Sequence, residues 1–410
     1  MVASARVAYL ARRATDYGVQ TGEIGIDLGQ VRQRKRDIVD SFRSGSERRL
    51  TGQDRLDLLR GEASFTGEHQ VEVALEGGER LELAADTIVI NAGGRPSLPP
   101  IDGIEHVPVL NSTTIMELDK VPRHLAVLGG GYVGLEFAQM FRRFGAEVTV
   151  IQRGERLLGR EDADVADAVA DLLREDGIEL LLSTQTRSVE AGSEGGVRLH
   201  LQSGEQQRTL DASQLLVATG RQPNTDTLAP EQAGVELDER GYIQVDAHLR
   251  TTAAGIYAAG DVTGGPAFTH ISYDDFRILR TNLIDGESAS TTGRLVPYVV
   301  YIDPQLGRIG LGEDEARAAG RAIRVAKMPM SSVARALETD EPRGLTKAVV
   351  DAETDQILGC AILGIEGGEV MSLIQVAMMG KVTASALRDG VFAHPSLAES
   401  VNNLFATLTG

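Results

Sequence analysis

One stretch limits the fold of this chain more than any other. An apolar run over 124–128 enters Gly129-x-Gly131-x-x-Gly134, a helical pattern continues to Phe144, Gly145 closes it, and a second apolar run follows over 147–151. Two strands joined through a helix lie parallel, so the segment is the first unit of an α/β sheet. The three glycines have separate tasks: Gly129 permits the tight turn, Gly131 lets the backbone approach a pyrophosphate, and Gly134 lets helix and strand pack closely. The helix start adds unpaired N–H groups and the positive end of the helix dipole. A strand before, a helix after and a second strand at the right distance are the context that separates a dinucleotide fingerprint from a chance match.

The choice of dinucleotide falls at the end of the second strand, where sites for the unphosphorylated ribose place an acid. This chain has Gln152 and Arg153 there, with Arg156 and Arg160 close behind. A guanidinium pairs with a 2′-phosphate and an acid repels it, so NADPH is favoured over NADH. The alternative is a solvated loop in which these arginines pair with Glu155, Glu161 and Asp162.

Glycine is abundant, 46 of 410 residues, and the excess sits where apolar β-type runs end. Two such runs stand out. Thr252 to Asp261 delivers Gly260 and Asp261 at a strand's carboxyl end, as in sites that hold a ribose or polyol hydroxyl. Leu215 to Asn224 runs into Gly220 and Arg221. No repeat of solenoid period and no low-complexity tract is present. Three blocks separate by pattern. Residues 1–117 begin with helical stretches over 2–17 and 30–42, then β-type segments over 70–75 and 87–92; the short strand and helix within 243–285 belong with them. Residues 118–242 hold the strand–helix–strand unit. Residues 291–410 alternate strands over 298–302, 347–351 and 357–363 with helices over 313–319 and 368–380, an α+β pattern.

Composition narrows the function. With 41 basic and 59 acidic residues the net charge is −18, which leaves no surplus cation to neutralise nucleic-acid phosphates or an anionic membrane. No apolar run approaches the ~18–20 residues of a membrane span, and the amphipathic start is no signal peptide, which points to the cytoplasm. The single cysteine, Cys360, lies in an apolar run and reads as a buried strand residue. No histidine has another three to five residues away, so no metal site is expected.

With these motifs the chain resembles the pyridine nucleotide-disulfide oxidoreductases, two-dinucleotide flavoproteins that include dihydrolipoamide dehydrogenase, glutathione reductase and mercuric reductase. The resemblance implies two Rossmann-like domains plus a C-terminal α+β dimerisation domain. It implies that Gly129, Gly131 and Gly134 cradle the NAD(P)H pyrophosphate, that Tyr132 gates the nicotinamide pocket, and that Asp261 takes a ribityl hydroxyl of FAD. The helix after Phe268, Thr269 and His270 would point its N-terminus at the flavin. The third block is similar to the family's interface domain through Tyr301 to Pro304, Gly344 to Lys347 and Phe392 to Glu399. His394, with Glu399 orienting it, takes the place of the acid/base that reaches the redox centre of the other subunit in a homodimer. Ser396 stands where relatives have threonine.

The same resemblance sets up a disagreement. Relatives open with a strand, a first GxGxxG for FAD, and a Cys-x4-Cys pair followed by Pro and Lys; this chain starts at the helix behind those cysteines. The FAD-binding domain is therefore expected to be incomplete, without redox cysteines or the lysine that pairs with Glu136, through a late-assigned translation start or a truncated gene. The strands over 87–92 and 255–259 would then present apolar faces and unpaired edges. The C-terminal run from Leu404 to Gly410 lacks the cysteine pair of a mercuric reductase. The expected function is FAD-dependent NAD(P)H oxidation with a small-molecule electron acceptor; the alternative is a catalytically dead NADPH-binding dimerisation module.

Overall fold

The computed structural model describes residues 1–408; Thr409 and Gly410, the last two of the C-terminal run, lie outside the described residues. It is a mixed α/β protein whose chain divides into two compact units, one of Met1–Lys35, Leu98–Thr219 and Pro297–Gly410, the other of Arg36–Ser97 and Gly220–Val296.

The first unit is built on a parallel four-stranded sheet in the order Gln214–Val217, His124–Leu128, Glu147–Ile151, Glu179–Leu181. Buried on both faces, the first three strands are near-continuous apolar runs rather than alternating ones, while the edge strand Glu179–Leu181 is half-buried. The helix Tyr132–Phe144 makes the crossover, and Gly145 ends it in the left-handed conformation at φ +112°. A second, antiparallel sheet runs Tyr298–Val300, Gln305–Gly310, Ile357–Gly364, Leu345–Asp351, Ile323–Pro329, with the helix Gly367–Met379 laid against it. One apolar cluster spans both sheets: Leu125, Val127, Leu135 and Phe141 pack in a continuous core with Val300, Ile302, Leu306 and Leu363. On the outer face of Gly367–Met379, Leu373, Val376 and Met379 stand 43%, 67% and 68% exposed, an apolar stripe left open among the described residues.

The second unit pairs Ile88–Ile90 with Ile256–Ala258 in parallel and closes an apolar core of Phe65, Ile90, Ile243, Ile256 and Val262. The two strands expected to present open edges meet each other on one side, and as a two-stranded sheet each keeps its other edge without a strand partner among the described residues, with Val89 46% exposed. Gly94–Pro96 pairs with Arg221–Pro223, and the helix Thr269–Arg280 follows the Gly260–Asp261 turn.

Several elements differ from the pattern. The first helix ends at Arg12 and passes into a 3-10 turn over Ala14–Tyr17, because Arg13 leaves the helix to reach Asp16 and the carbonyl of Asp340. The second runs over Leu28–Thr51, started by the Asp27 carboxylate accepting the Gln30 N–H at 3.0 Å. Its apolar stripe gives out at Phe42, 74% exposed, so periodicity stops where the helix does not. The sequence pattern does not indicate the strands Gly61–Gly67 and Arg80–Ala84, which flank Gln70–Leu75, or Gln185–Ala191 and Gln206–Ala212, which flank Val197–Ser203: the outer strands are largely polar and exposed, while Val197, Leu199 and Leu201 alternate into the core.

Candidate functional site

The glycine turn of the first unit shows why each glycine is needed. At Gly129, φ is +110° and a Cβ would stand 2.4 Å from the Ala218 carbonyl oxygen. A Cβ on Gly134 would meet the Gly129 oxygen at 2.2 Å, so helix and turn touch through it. Gly131 differs: its backbone is extended, and a Cβ there would meet nothing within 4 Å. Open space beside the first N–H groups of a helix fits a pyrophosphate. Gly130, given no role by the pattern, is also constrained, since a Cβ would lie 2.6 Å from Leu157 Cδ2.

Tyr132 is the first residue of the helix and Glu136 lies one turn on, on the same face. The Glu136 carboxylate accepts the Tyr301 N–H at 2.8 Å. Burial pushes its carboxyl above the ordinary range, against the opposing pull of that hydrogen bond.

Gln152 closes the second strand. Its Oε1 accepts the Gly130 N–H at 3.1 Å and its Nε2 donates to the Arg156 carbonyl at 3.2 Å. Arg153, Arg156 and Arg160 are exposed. Two of the three acids proposed to pair with them are engaged elsewhere, Glu161 with Arg308 and Tyr298 and Asp162 with Lys347, while Glu155 stands exposed in the same loop.

In the second unit a cavity of about 500 Å³ is lined by Asn91, Gly93, Asp261, Thr269, Ser272 and Tyr273, among others. Gly260 turns there at φ +73°, where a Cβ would press on Ser272 Oγ at 2.7 Å. Gly220, whose carbonyl accepts the Ser97 N–H at 3.1 Å, leads into Arg221, and the Arg221 guanidinium stands 3.6 Å from Asp261. Arg221, next to Gly220, thus reaches the Gly260–Asp261 turn, and Asp261 lines the hollow. Behind the turn lies a carboxylate that sequence reasoning missed: Asp275, 1% exposed, accepts the Gly260 N–H at 2.9 Å and pairs with Arg294 at 2.6 Å.

His394 and Glu399 form their own pair, Nδ1 to Oε2 at 2.8 Å, with the ring 66% exposed. Cys360 is buried in Ile357–Gly364; burial pushes its thiol up to about 12, although Arg308 pulls the other way. Among the described residues no cluster of His, Cys, Asp or Glu could hold a metal, and no helix is long and apolar enough to cross a membrane.

A family model for pyridine nucleotide-disulphide oxidoreductases matches residues 5–275, and one for the dimerisation domain of the same family matches residues 296–405. The chain belongs to the pyridine nucleotide-disulphide oxidoreductase family. It is similar to the probable pyridine nucleotide-disulfide oxidoreductase RclA of Escherichia coli, 40% identical over 93% of this chain and 85% of that protein. It is also similar to a mercuric reductase of Bacillus cereus, 33% identical over 98% of this chain and 63% of the relative. The solved structure of E. coli RclA, described as an HOCl-induced flavoprotein disulfide reductase, superposes with a TM-score of 0.87 at 38% identity, covering 94% of this chain and 87% of that one. LpdA from Mycobacterium tuberculosis superposes at 0.88 with 27% identity, over 100% and 88% of the two chains. As a member of this family the chain is an oxidoreductase of a class that uses FAD and NAD(P)H, and its matched dimerisation domain supports a homodimer.

Proposed function

We propose that this member of the family takes its electrons from NADPH rather than NADH, and passes them through FAD to a small-molecule acceptor. The observation that carries the choice is the arginine loop: Arg153, Arg156 and Arg160 stand exposed, Gln152 rather than an acid stands directly after the second strand, and of the three nearby acids Glu161 and Asp162 are paired away, leaving Glu155 exposed in the loop. With three guanidinium groups in the loop against the single carboxylate of Glu155, a guanidinium is available to a 2′-phosphate.

The residues divide the work. Gly129, Gly131 and Gly134 hold the pyrophosphate against the helix start, Tyr132 covers the nicotinamide side, and Glu136 stands one turn below as a carboxyl that burial keeps ready to bind a proton. Bound nicotinamide and flavin supply hydride chemistry. Gly220, Gly260 and Asp261 orient the flavin's ribityl chain, and the start of Thr269–Arg280 offers positive potential. Glu399 holds His394 in the tautomer with its proton on Nδ1, leaving Nε2 to move a proton at the acceptor side. Residues 118–242 are the NAD(P)H-binding domain, 1–117 with 243–285 the FAD-binding part, and 291–410 the dimerisation domain, joined to a second copy through the exposed stripe of Leu373, Val376 and Met379. These 410 residues contain one thiol, and it is buried and protonated, so no dithiol relay runs within them.

The test is calorimetric titration of the purified protein with NADPH and NADH, alongside its visible absorption spectrum. Tighter NADPH binding on a protein that carries the oxidised-flavin band supports the proposal. Equal affinity for both nucleotides overturns the NADPH choice, and nucleotide binding without any flavin overturns the enzymatic part in favour of a binding module.

A further inference from the structure

A buried charge cluster that the proposed chemistry leaves unused sits at the far end of the arginine loop. Glu161, 3% exposed in its side chain, accepts from the Tyr298 hydroxyl and from Arg308 Nε at 3.2 Å, and Arg308 itself is 6% exposed. The next residue, Asp162, accepts the Glu313 N–H at 3.0 Å and pairs with the Lys347 ammonium at 2.9 Å. Tyr298, Arg308, Glu313 and Lys347 all lie in the C-terminal stretch, more than 130 residues further along the chain.

The loop is held at its near end too. Besides the two hydrogen bonds of the Gln152 amide, the Leu158 N–H donates to the Gly130 carbonyl at 2.9 Å. Leu158 has φ +46°, a strained conformation for a branched residue that persists only where its surroundings fix it. Leu157 beside it is wholly buried. Between these two grips the arginines project into solvent.

A buried ion pair is a weak source of net stability, because desolvating both charges offsets most of their attraction. It is a strong source of placement. Guanidinium–phosphate recognition is directional, and a loop ordered in advance does not lose that freedom when the nucleotide binds. We propose that Glu161 and Asp162, gripped by Tyr298, Arg308 and Lys347, are positioning residues that aim the arginine loop at the 2′-phosphate, so that the C-terminal part of the chain helps set nucleotide selectivity. The inference rests on the NADPH choice proposed above. Arg160 is covalently next to Glu161, so displacing the buried carboxylate displaces the arginine.

Adenosine 2′,5′-bisphosphate and 5′-AMP differ only in the 2′-phosphate, which makes their affinity ratio a direct reading of that contact. The experiment measures both by calorimetry on the full chain, unaltered and as Glu161→Gln, Tyr298→Phe and Arg308→Lys, each checked by its melting temperature. Expected is a loss of about tenfold in bisphosphate affinity for Glu161→Gln, with 5′-AMP within about twofold of the unaltered protein and the conservative Arg308→Lys in between. Tyr298→Phe, which removes one hydroxyl, keeps the test valid should Glu161→Gln fail to fold, and a smaller loss in the same direction is expected. An unchanged ratio in folded variants, or an equal loss for both ligands, overturns the positioning role while the NADPH choice stands. An unaltered protein that binds both ligands alike overturns the NADPH choice and this inference with it.

Discussion

His394 turns Nδ1 onto Glu399 Oε2 at 2.8 Å, and does so with its ring 66% exposed and the carboxylate 25% exposed. An imidazole that donates from Nδ1 has its other nitrogen free, which is the state a proton shuttle needs. Replacing His394 by Ala is expected to lower turnover by about 10²–10⁴-fold with an acceptor that takes up protons, the range of lost general acid–base catalysis. Ferricyanide, which accepts electrons without protons, is expected to be reduced at the unaltered rate. Steady-state assays with a quinone and with ferricyanide check this, and Glu399→Gln should fall between the two proteins.

Gly131 and Gly134 look alike in sequence and are expected to fail differently. A Cβ at Gly134 meets the Gly129 oxygen at 2.2 Å, so Gly134→Ala forces backbone apart and costs about 1–3 kcal/mol of stability. At Gly131 the same methyl meets nothing within 4 Å. Gly131→Ala should melt like the parent and still lose about tenfold or more in NADPH affinity, because the added carbon occupies the pyrophosphate's approach. Thermal melts and calorimetry on both variants separate a folding role from a binding one.

What could be read from the chain, and what could not, follows from the range of the interactions. The turn over 129–134, its helix and Gly145 were legible because their geometry is local: three glycines, one strand and one cap fall within a couple of dozen residues. Cys360 was legible as a buried strand residue from the apolar run around it. Gly130 was not, because what forbids its Cβ is Leu157, on the other side of a strand. The grip of Arg308 on Glu161 spans 147 residues, and no spacing rule reaches that far. The available signal was a charge out of place: Arg308 and Lys347 sit inside apolar strands, and a charge buried there needs a partner.

Asp275 illustrates the same rule behind the Gly260–Asp261 turn. One of its oxygens accepts the Gly260 N–H at 2.9 Å and the other meets Arg294 at 2.6 Å. Asp275→Ala leaves the Arg294 guanidinium with only the more distant Asp274 carboxylate at 3.6 Å and is expected to cost about 1–3 kcal/mol, whereas the double variant Asp275→Leu, Arg294→Leu should regain most of that. Flavin content should fall in both, since the Gly260 N–H loses its acceptor in each. Denaturation curves read the first effect and the flavin-to-protein absorbance ratio reads the second. Restored stability with full flavin content would remove Asp275 from any part in holding the turn.

Lys347 gives the fold a defined acid limit. Its side chain, 4% exposed, meets Asp162, Asp164 and Glu313 at 2.9, 3.0 and 2.9 Å. For Glu313 the hydrogen bonds from Lys347 and Arg317 hold the carboxyl below its ordinary value. For Asp162 and Asp164 burial acts upward, but the hydrogen bonds from the Glu313 N–H, Lys327 and Lys347 outweigh it and both end below theirs. A carboxylate whose folded value is depressed binds fewer protons when folded than unfolded. Its contribution is therefore complete above the unfolded value and is lost as pH falls through the folded one. Burial acts to lower the Lys347 value but its three acidic partners raise it overall, so its own contribution is complete below the unfolded lysine range and is lost only as pH rises through that raised value. The melting temperature should hold steady across neutral pH and drop below about pH 4. Lys347→Met removes the cation the three carboxylates share, leaving Asp164 to Lys327 and Glu313 to Arg317, and is expected to cost about 1–3 kcal/mol at neutral pH. Near pH 3 those carboxylates take up protons in the variant, the missing cation matters less, and the gap to the unaltered protein should close to less than half. Melting curves of both proteins from neutral to acid pH decide it: a gap that stays constant as pH falls would mean that Lys347 matters for packing, and that the three acids do not act through its charge.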